Sequence, residues 1–241
     1  MINFIKKRRL WYSISMACIG LGLVFMVKNY NAMQHVFNMG IDFTGGTSII
    51  LRFEQPVENI EQALRPILNE QELSKHTLQR SGQFDIIIKT QEMDITKRNA
   101  LFSSITKSIG AFDILEVDVI GPSIGEELKS KSFLIIIAVA IAILIYCSWR
   151  FELTFGLASI IALLHDTLII LSMTAIFKFE LNTAYVAALL TVLGYSINDT
   201  IVIFDRIREK VLQNKDSEDS LSKSLLNTAV NEMVPRSIHT S

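Results

Sequence analysis

Residues 132–149 read SFLIIIAVAIAILIYCSW, a run with no Lys, Arg, His, Asp or Glu. At 1.5 Å of rise per residue, such a helix nearly crosses the ~30 Å hydrocarbon core of a bilayer. No water is available there to satisfy backbone polar groups, so an apolar run of this length is read as a membrane span. Working outward from it, three more stretches qualify: Leu10–Val27, Leu153–Phe177 and Leu181–Phe204. Half of the 241 residues are hydrophobic, and mean hydropathy is +0.37. What decides the class is that these residues gather into runs.

Charges at the ends of the runs give an orientation. Lys6, Lys7, Arg8 and Arg9 precede the first span and place residues 1–9 in the cytoplasm by the positive-inside rule. No small-x-small cleavage site follows Val27, so the first span is expected to be an uncleaved anchor. Residues 28–131 then lie outside. Arg150 returns the second span to the cytoplasm, the short Arg150–Glu152 link makes spans two and three a hairpin, and the basic stretch after Phe204 is again cytoplasmic. The expected fold class is an α-helical membrane protein of four spans with an external α+β domain.

Residues 40–120 supply that domain. Thr47, Ile49, Leu51 and Phe53 alternate with polar neighbours as in a half-buried strand. After Pro56, Ile60, Ala63, Leu64, Ile67 and Leu68 form a helical stripe. Strands are expected at His76–Arg80 and Phe84–Lys89, a helix at Ile95–Ile109 and a last strand at Ile114–Ile120. The order β-α-β-β-α-β is that of a ferredoxin-like module. Ser123-Ile124-Gly125-Glu126 has capping-box spacing and is expected to start a short rigid helix leading into span two. Residues 217–234 carry apolar side chains at helical spacing, an amphipathic helix lying on the membrane or on a partner and ended by Pro235.

Several chemistries are excluded or weakened. The net charge of −1 gives no case for nucleic acid. GIDFTGGT at 40–47 is not a phosphate loop: no Gly-Lys-Ser/Thr follows, and its glycines precede a strand. Gly45 and Gly46 are expected to permit a sharp turn or bulge. His35, His76, His165 and His239 are scattered, and His165-Asp166 are adjacent residues pointing about 100° apart on a helix, a poor chelate. Cys18 and Cys147 lie in apolar runs as packing residues. The residues support no metal, cofactor or catalytic assignment.

The informative residues are polar groups within the spans: His165 and Asp166 in the third, Tyr195, Asn198 and Asp199 in the fourth. A carboxylate in hydrocarbon costs at least ~2.5–3.5 kcal/mol, so it faces a partner helix or a water path. Asp166 is roughly 20 Å from the cytoplasmic start of its helix and Asp199 roughly 10 Å from its exit, on adjacent antiparallel helices. A carboxylate at such a place is a candidate group for loading and releasing a proton. The competing role is interhelical hydrogen bonding, worth ~0.6 kcal/mol per contact. Tyr195 and Asn198 are expected as packing and hydrogen-bonding partners. Asp205 and Arg206 are expected to form an interfacial ion pair.

Three segments together, GIDFTGGT (40–47), VIGPSIGEEL (119–128) and GYSINDTIVIFDRIRE (194–209), resemble the SecD/SecF family, on its SecF side. The first two carry Gly40, Asp42, Gly45, Gly46, Gly121 and Pro122. The resemblance covers essentially the whole chain. It implies an inner-membrane, proton-driven accessory of the Sec translocon within the resistance-nodulation-division superfamily. Its implied partners are SecD, the SecYEG channel, the secreted polypeptide and membrane lipids. It also implies that Asp199 matches the family's key acidic residue and Arg236 its basic partner. Members resemble six-span bundles, whereas this sequence stops at Ser241. A shortened or partial chain with an incomplete proton path is therefore expected. A non-transporting scaffold and a small-molecule efflux transporter are the competing readings; the single compact outer domain argues against the second.

Overall fold

The computed structural model describes residues 2–54, 60–71, 73, 76–150, 153–213 and 222–240. Pro56, residues 151–152 of the expected hairpin link and residues 217–221 of the expected amphipathic helix lie outside them. The chain divides into two compact units, residues 39–132 and the remainder.

Within residues 39–132, a single-turn helix α2 (Ile41–Thr44) precedes strand β1 (Gly46–Phe53). Helix α3 (Ile60–Glu70), strands β2 (His76–Ser81) and β3 (Asp85–Thr90), helix α4 (Ile95–Ser108) and strand β4 (Phe112–Ile120) follow. The strands form one sheet in the order β2-β3-β1-β4, and every neighbouring pair is antiparallel. Alternation along β1 sends Ile49, Leu51 and Phe53 into the core, where they meet Leu64, Ile67 and Leu68 of α3 and Leu101 and Ile105 of α4. Ala63, expected on the buried stripe, is exposed. It sits at the edge of a stripe whose centre is Leu64, Ile67 and Leu68. Asp94 caps α4 by accepting from the Lys97 backbone N–H at 2.7 Å.

The register between β1 and β4 slips between Ile50 and Leu51: Ile50 opposes Glu116 and Leu51 opposes Ile114, so Leu115 is an extra residue, a β-bulge. Ile114 and Leu115, on this edge strand, are about half exposed.

The two glycine-bearing segments interlock in this unit. Gly40 starts α2 and its carbonyl accepts from the N–H groups of Phe43 and Thr44, both at 3.1 Å. Asp42 is half-buried on that turn. Gly45 (φ 71°) and Gly46 (φ 135°) then turn the chain into β1. A Cβ on Gly45 would stand 2.9 Å from Pro122 Cα, one on Gly46 2.4 Å from the Thr90 carbonyl oxygen, and one on Gly125 2.9 Å from the Gly45 nitrogen. The glycines are thus required both by backbone conformation and by close approach of three backbone segments.

Helix α5 runs unbroken from Pro122 to Arg150. The capping-box expectation at Ser123 is therefore corrected. Pro122 occupies the first helical position, where a missing N–H costs nothing, and Ser123 is already inside the first turn.

The other unit holds α1 (Arg8–Met33), most of α5, α6 (Leu153–Phe177), α7 (Thr183–Gln213) and α8 (Lys223–Thr240). Helices α1, α5, α6 and α7 are long and apolar enough to cross a membrane. Only 6% of the most apolar stretch of α5 is buried by protein, and its outward residues include Phe133, Leu134, Ile141 and Ile145. A surface of that kind is stable against lipid and not against water. Where these helices meet, small residues let the backbones approach. A Cβ on Gly22 of α1 would fall 2.2 Å from Ser172 Cβ of α6. Two turns on, the buried Asn29 side-chain amide donates to the Ala175 carbonyl at 2.9 Å. Gly22→Leu is therefore expected to force α1 from α6 and to cost about 1–3 kcal/mol, as overpacking does. Gly20→Leu, at a position with nothing within 4 Å, should leave thermal unfolding in detergent unchanged.

Pro235 does not end α8, which continues to Thr240. The proline removes one backbone donor, that to the Asn231 carbonyl, and a helix held by side-chain contacts on both neighbours tolerates this loss.

Candidate functional site

Of the polar groups within the spans, Asp166 makes a side-chain bond between α6 and α7, with His165 beside it. Both helices are amphipathic in a restricted sense: Leu189, Leu193 and Ile197 of α7 pack with Leu163 of α6 and Cys147 of α5. This seam fixes which polar residues face inward. Ser196 flanks it, and its hydroxyl donates to Asp166 Oδ2 at 2.5 Å, joining the two helices. The other carboxylate oxygen, Oδ1, lies 2.9 Å from His165 Nδ1. His165 and Asp166, a poor chelate as adjacent helical residues, are nonetheless in contact with each other. Their Cβ directions differ, but side-chain torsions bring the ring onto the carboxylate as a hydrogen-bonded pair. Both side chains remain partly exposed, 41% and 36%.

Asp199 is half-buried, three residues beyond Ser196 and so ~4.5 Å further along the axis of α7 on a neighbouring position of the same face. Tyr195 and Asn198 do not join this group. Tyr195 is 53% exposed, Asn198 is also exposed, and neither makes a side-chain hydrogen bond with a described residue. Each lies one residue before a seam-side position and is rotated about 100° off it. Ser196 was missed in the sequence because serine in a span is common. The signal available was its i,i+3 relation to Asp199 combined with the seam set by Leu189, Leu193 and Ile197. A second polar link between spans is Thr174 to Tyr185, hydroxyl to hydroxyl at 2.5 Å.

At the end of α7, Arg206 does not pair with Asp205. Its Nε donates to Glu232 of α8 at 2.6 Å and its Nη1 to Glu209 at 2.5 Å, while Lys210 Nζ reaches Glu232 at 2.9 Å. Asp205 instead faces Arg150 of α5 at 3.9 Å. The amphipathic helix α8 thus makes contact with α7 of the same chain. Arg236 of α8 lines a pocket of about 390 Å³ with Tyr146, Arg150, Ile201, Val202 and Asp205 among its other walls. The structure thus puts Arg236 beside the last turns of α7, beyond Asp199.

The hydrogen bond from Lys210, and then that from Arg206, hold the Glu232 carboxyl below its ordinary value of 4.5. Because the folded value is the lower one, the contribution of Glu232 is fully present above that ordinary value and is lost as the pH falls through the depressed one. A spin-label distance between α7 and α8 is expected to lengthen on acidification in that range, and Glu232→Gln should flatten the response.

The family of SecD/SecF protein-export membrane proteins matches through its C-terminal part over residues 101–241, and the SecD/SecF GG motif matches over residues 34–57. The latter contains the Gly45-Gly46 turn. The chain is 37% identical to the protein translocase subunit SecF of Helicobacter pylori, across 95% of this chain and 68% of that one. It is 33% identical to SecF of Sebaldella termitidis, across all of this chain and 76% of the relative. The solved structure of SecDF, a translocon-associated membrane protein from Thermus thermophilus, superposes with a TM-score of 0.84 at 30% identity. That match covers 99% of this chain and 32% of the longer SecDF chain. A family match over more than half its length, close relatives along nearly all of it and a shared fold together place this chain in the SecD/SecF family of protein-export membrane proteins.

Proposed function

We propose that this chain is an accessory subunit of the Sec protein translocase that works with SecD and uses the proton motive force to promote export across the inner membrane. The observation that carries the proposal is the Asp166–Ser196 bond joining α6 to α7, with Asp199 one turn along the same helix. Such a pair of carboxylates on adjoining spans can exchange a proton while biasing how the helices pack. Asp199 and Asp166 are the relay residues in this reading, and Arg236 is the basic group at the end of the path. His165 and Ser196 orient Asp166. The arrangement of the basic stretches supports a cytoplasmic N-terminus, with residues 28–131 on the opposite side. The strand order β2-β3-β1-β4, antiparallel throughout, supports a ferredoxin-like sheet domain. SecD, the SecYEG channel and the secreted chain are its proposed partners.

The test is reconstitution in vesicles with SecD and the translocon, with and without a proton gradient. Secretion that rises with the gradient only when this chain is present supports the proposal. If the stimulation persists after the gradient is dissipated, the chain acts as a scaffold and the proposal fails.

A further inference from the structure

A pocket of about 570 Å³ opens where the N-terminal segment meets the start of α8. Among the described residues, four cations line it, Lys6, Arg8, Arg9 and Lys223, and no carboxylate does. None of the four is in an ion pair with a described residue. Cations gathered this closely raise the local positive potential and favour an anion among them.

The pocket is built rather than incidental. Asn231 accepts from the Ile2 N–H at 2.9 Å and donates to the Ile2 carbonyl at 2.7 Å. Asn227 also donates to that carbonyl, at 3.1 Å, and accepts from the Ile5 N–H at 3.4 Å. These bonds pin the segment to α8 and bring Lys6 and Lys223 to one pocket, so the cationic lining exists before any ligand arrives.

Position along α1 says what kind of anion would occupy it. Trp11 and Tyr12 follow directly on Arg8 and Arg9 and are 46% and 67% exposed. Aromatic side chains of this type settle at the membrane–water boundary. The pocket is thus level with the lipid headgroups, within reach of their phosphates, and a volume of this size suits a small polar headgroup. We propose that it binds the headgroup phosphate of a net-anionic phospholipid, with Lys6 and Lys223 as contacts. The bound lipid would then fasten α8 and the N-terminal segment to the membrane at one point.

Native mass spectrometry of the full chain in detergent, titrated separately with phosphatidylglycerol, phosphatidylcholine and inorganic phosphate, tests this. Phosphatidylglycerol should bind about tenfold more tightly than phosphatidylcholine, and Lys6→Ala with Lys223→Ala should remove most of that preference. The pair Lys6→Arg with Lys223→Arg should retain it. Lys223→Ala alone, at an exposed helix start, gives a smaller loss in the same direction and serves if the double variant does not fold. Equal binding of the two lipids, an unchanged preference in the alanine variants, or displacement of phosphatidylglycerol by an equal concentration of inorganic phosphate would each overturn the proposal.

Discussion

Asp199→Asn is expected to abolish gradient-dependent secretion while leaving the chain folded and associated with its partners. Asparagine has the same shape and hydrogen-bonding reach, so packing is kept, but it cannot take up and release a proton at neutral pH. The size of the effect separates the two roles open to this residue. One charge moved through 100 mV supplies ~2.3 kcal/mol, and losing that drive lowers the gradient-dependent rate by about tenfold or more. A residue that only ties helices together contributes ~0.6 kcal/mol, less than about a threefold change. Ser196→Ala gives the internal comparison. It removes the donor to Asp166 but leaves the carboxylate, so a drop of a few-fold is expected rather than complete loss. The measurement is secretion into reconstituted vesicles with an imposed gradient. Equal, small losses for both variants would assign Asp199 to interhelical packing.

Gly46→Val should unfold the sheet domain locally or entirely. The backbone at φ 135° disfavours any side chain, and a branched one most, at a cost of about 1–3 kcal/mol. The Thr90 carbonyl, 2.4 Å from the new Cβ, is part of the β1–β3 ladder. It cannot turn aside as a side chain would, so overpacking adds about 1–3 kcal/mol more. A total of about 2–6 kcal/mol is a large part of the stability of a typical domain. Gly82→Ala provides the control: φ is 83° there, yet nothing lies within 4 Å, so conformational strain acts alone. Amide exchange in the full chain should show β1 and β3 losing protection for Gly46→Val and keeping it for Gly82→Ala. Similar protection in both would mean that the close approach at Gly46 is relieved by backbone shifts.

Four apolar runs could be read directly from the sequence because bilayer crossing depends on local composition and length, which no distant contact alters. The alternation at Thr47–Phe53 and the stripe at Leu64, Ile67 and Leu68 were legible for the same reason, since strand and helix periods are local properties. Side-chain partnership is not local. Ser196 and Asp166 are thirty positions apart, and only the seam of Leu163, Leu189, Leu193 and Ile197 turns them toward each other. Tyr195 and Asn198, as polar as Ser196 in a sequence, are turned away by the same seam.

The end of α8 shows the same division. Its amphipathic character could be read from spacing, but whether lipid, another protein or this chain covered it could not. Glu232 meeting Arg206 and Lys210, and Asn227 and Asn231 holding Ile2, are contacts between residues far apart in the sequence. The sequence by itself determined the membrane spans, the order of strands and helices in the sheet domain, and the presence of carboxylates in costly places, because hydrophobicity and periodicity act over a few residues. Only the tertiary structure decided strand neighbours, the β-bulge at Leu115, the interlocked glycine turns and the groups that meet Asp166 and Glu232, because those depend on which surfaces meet when the helices and strands pack.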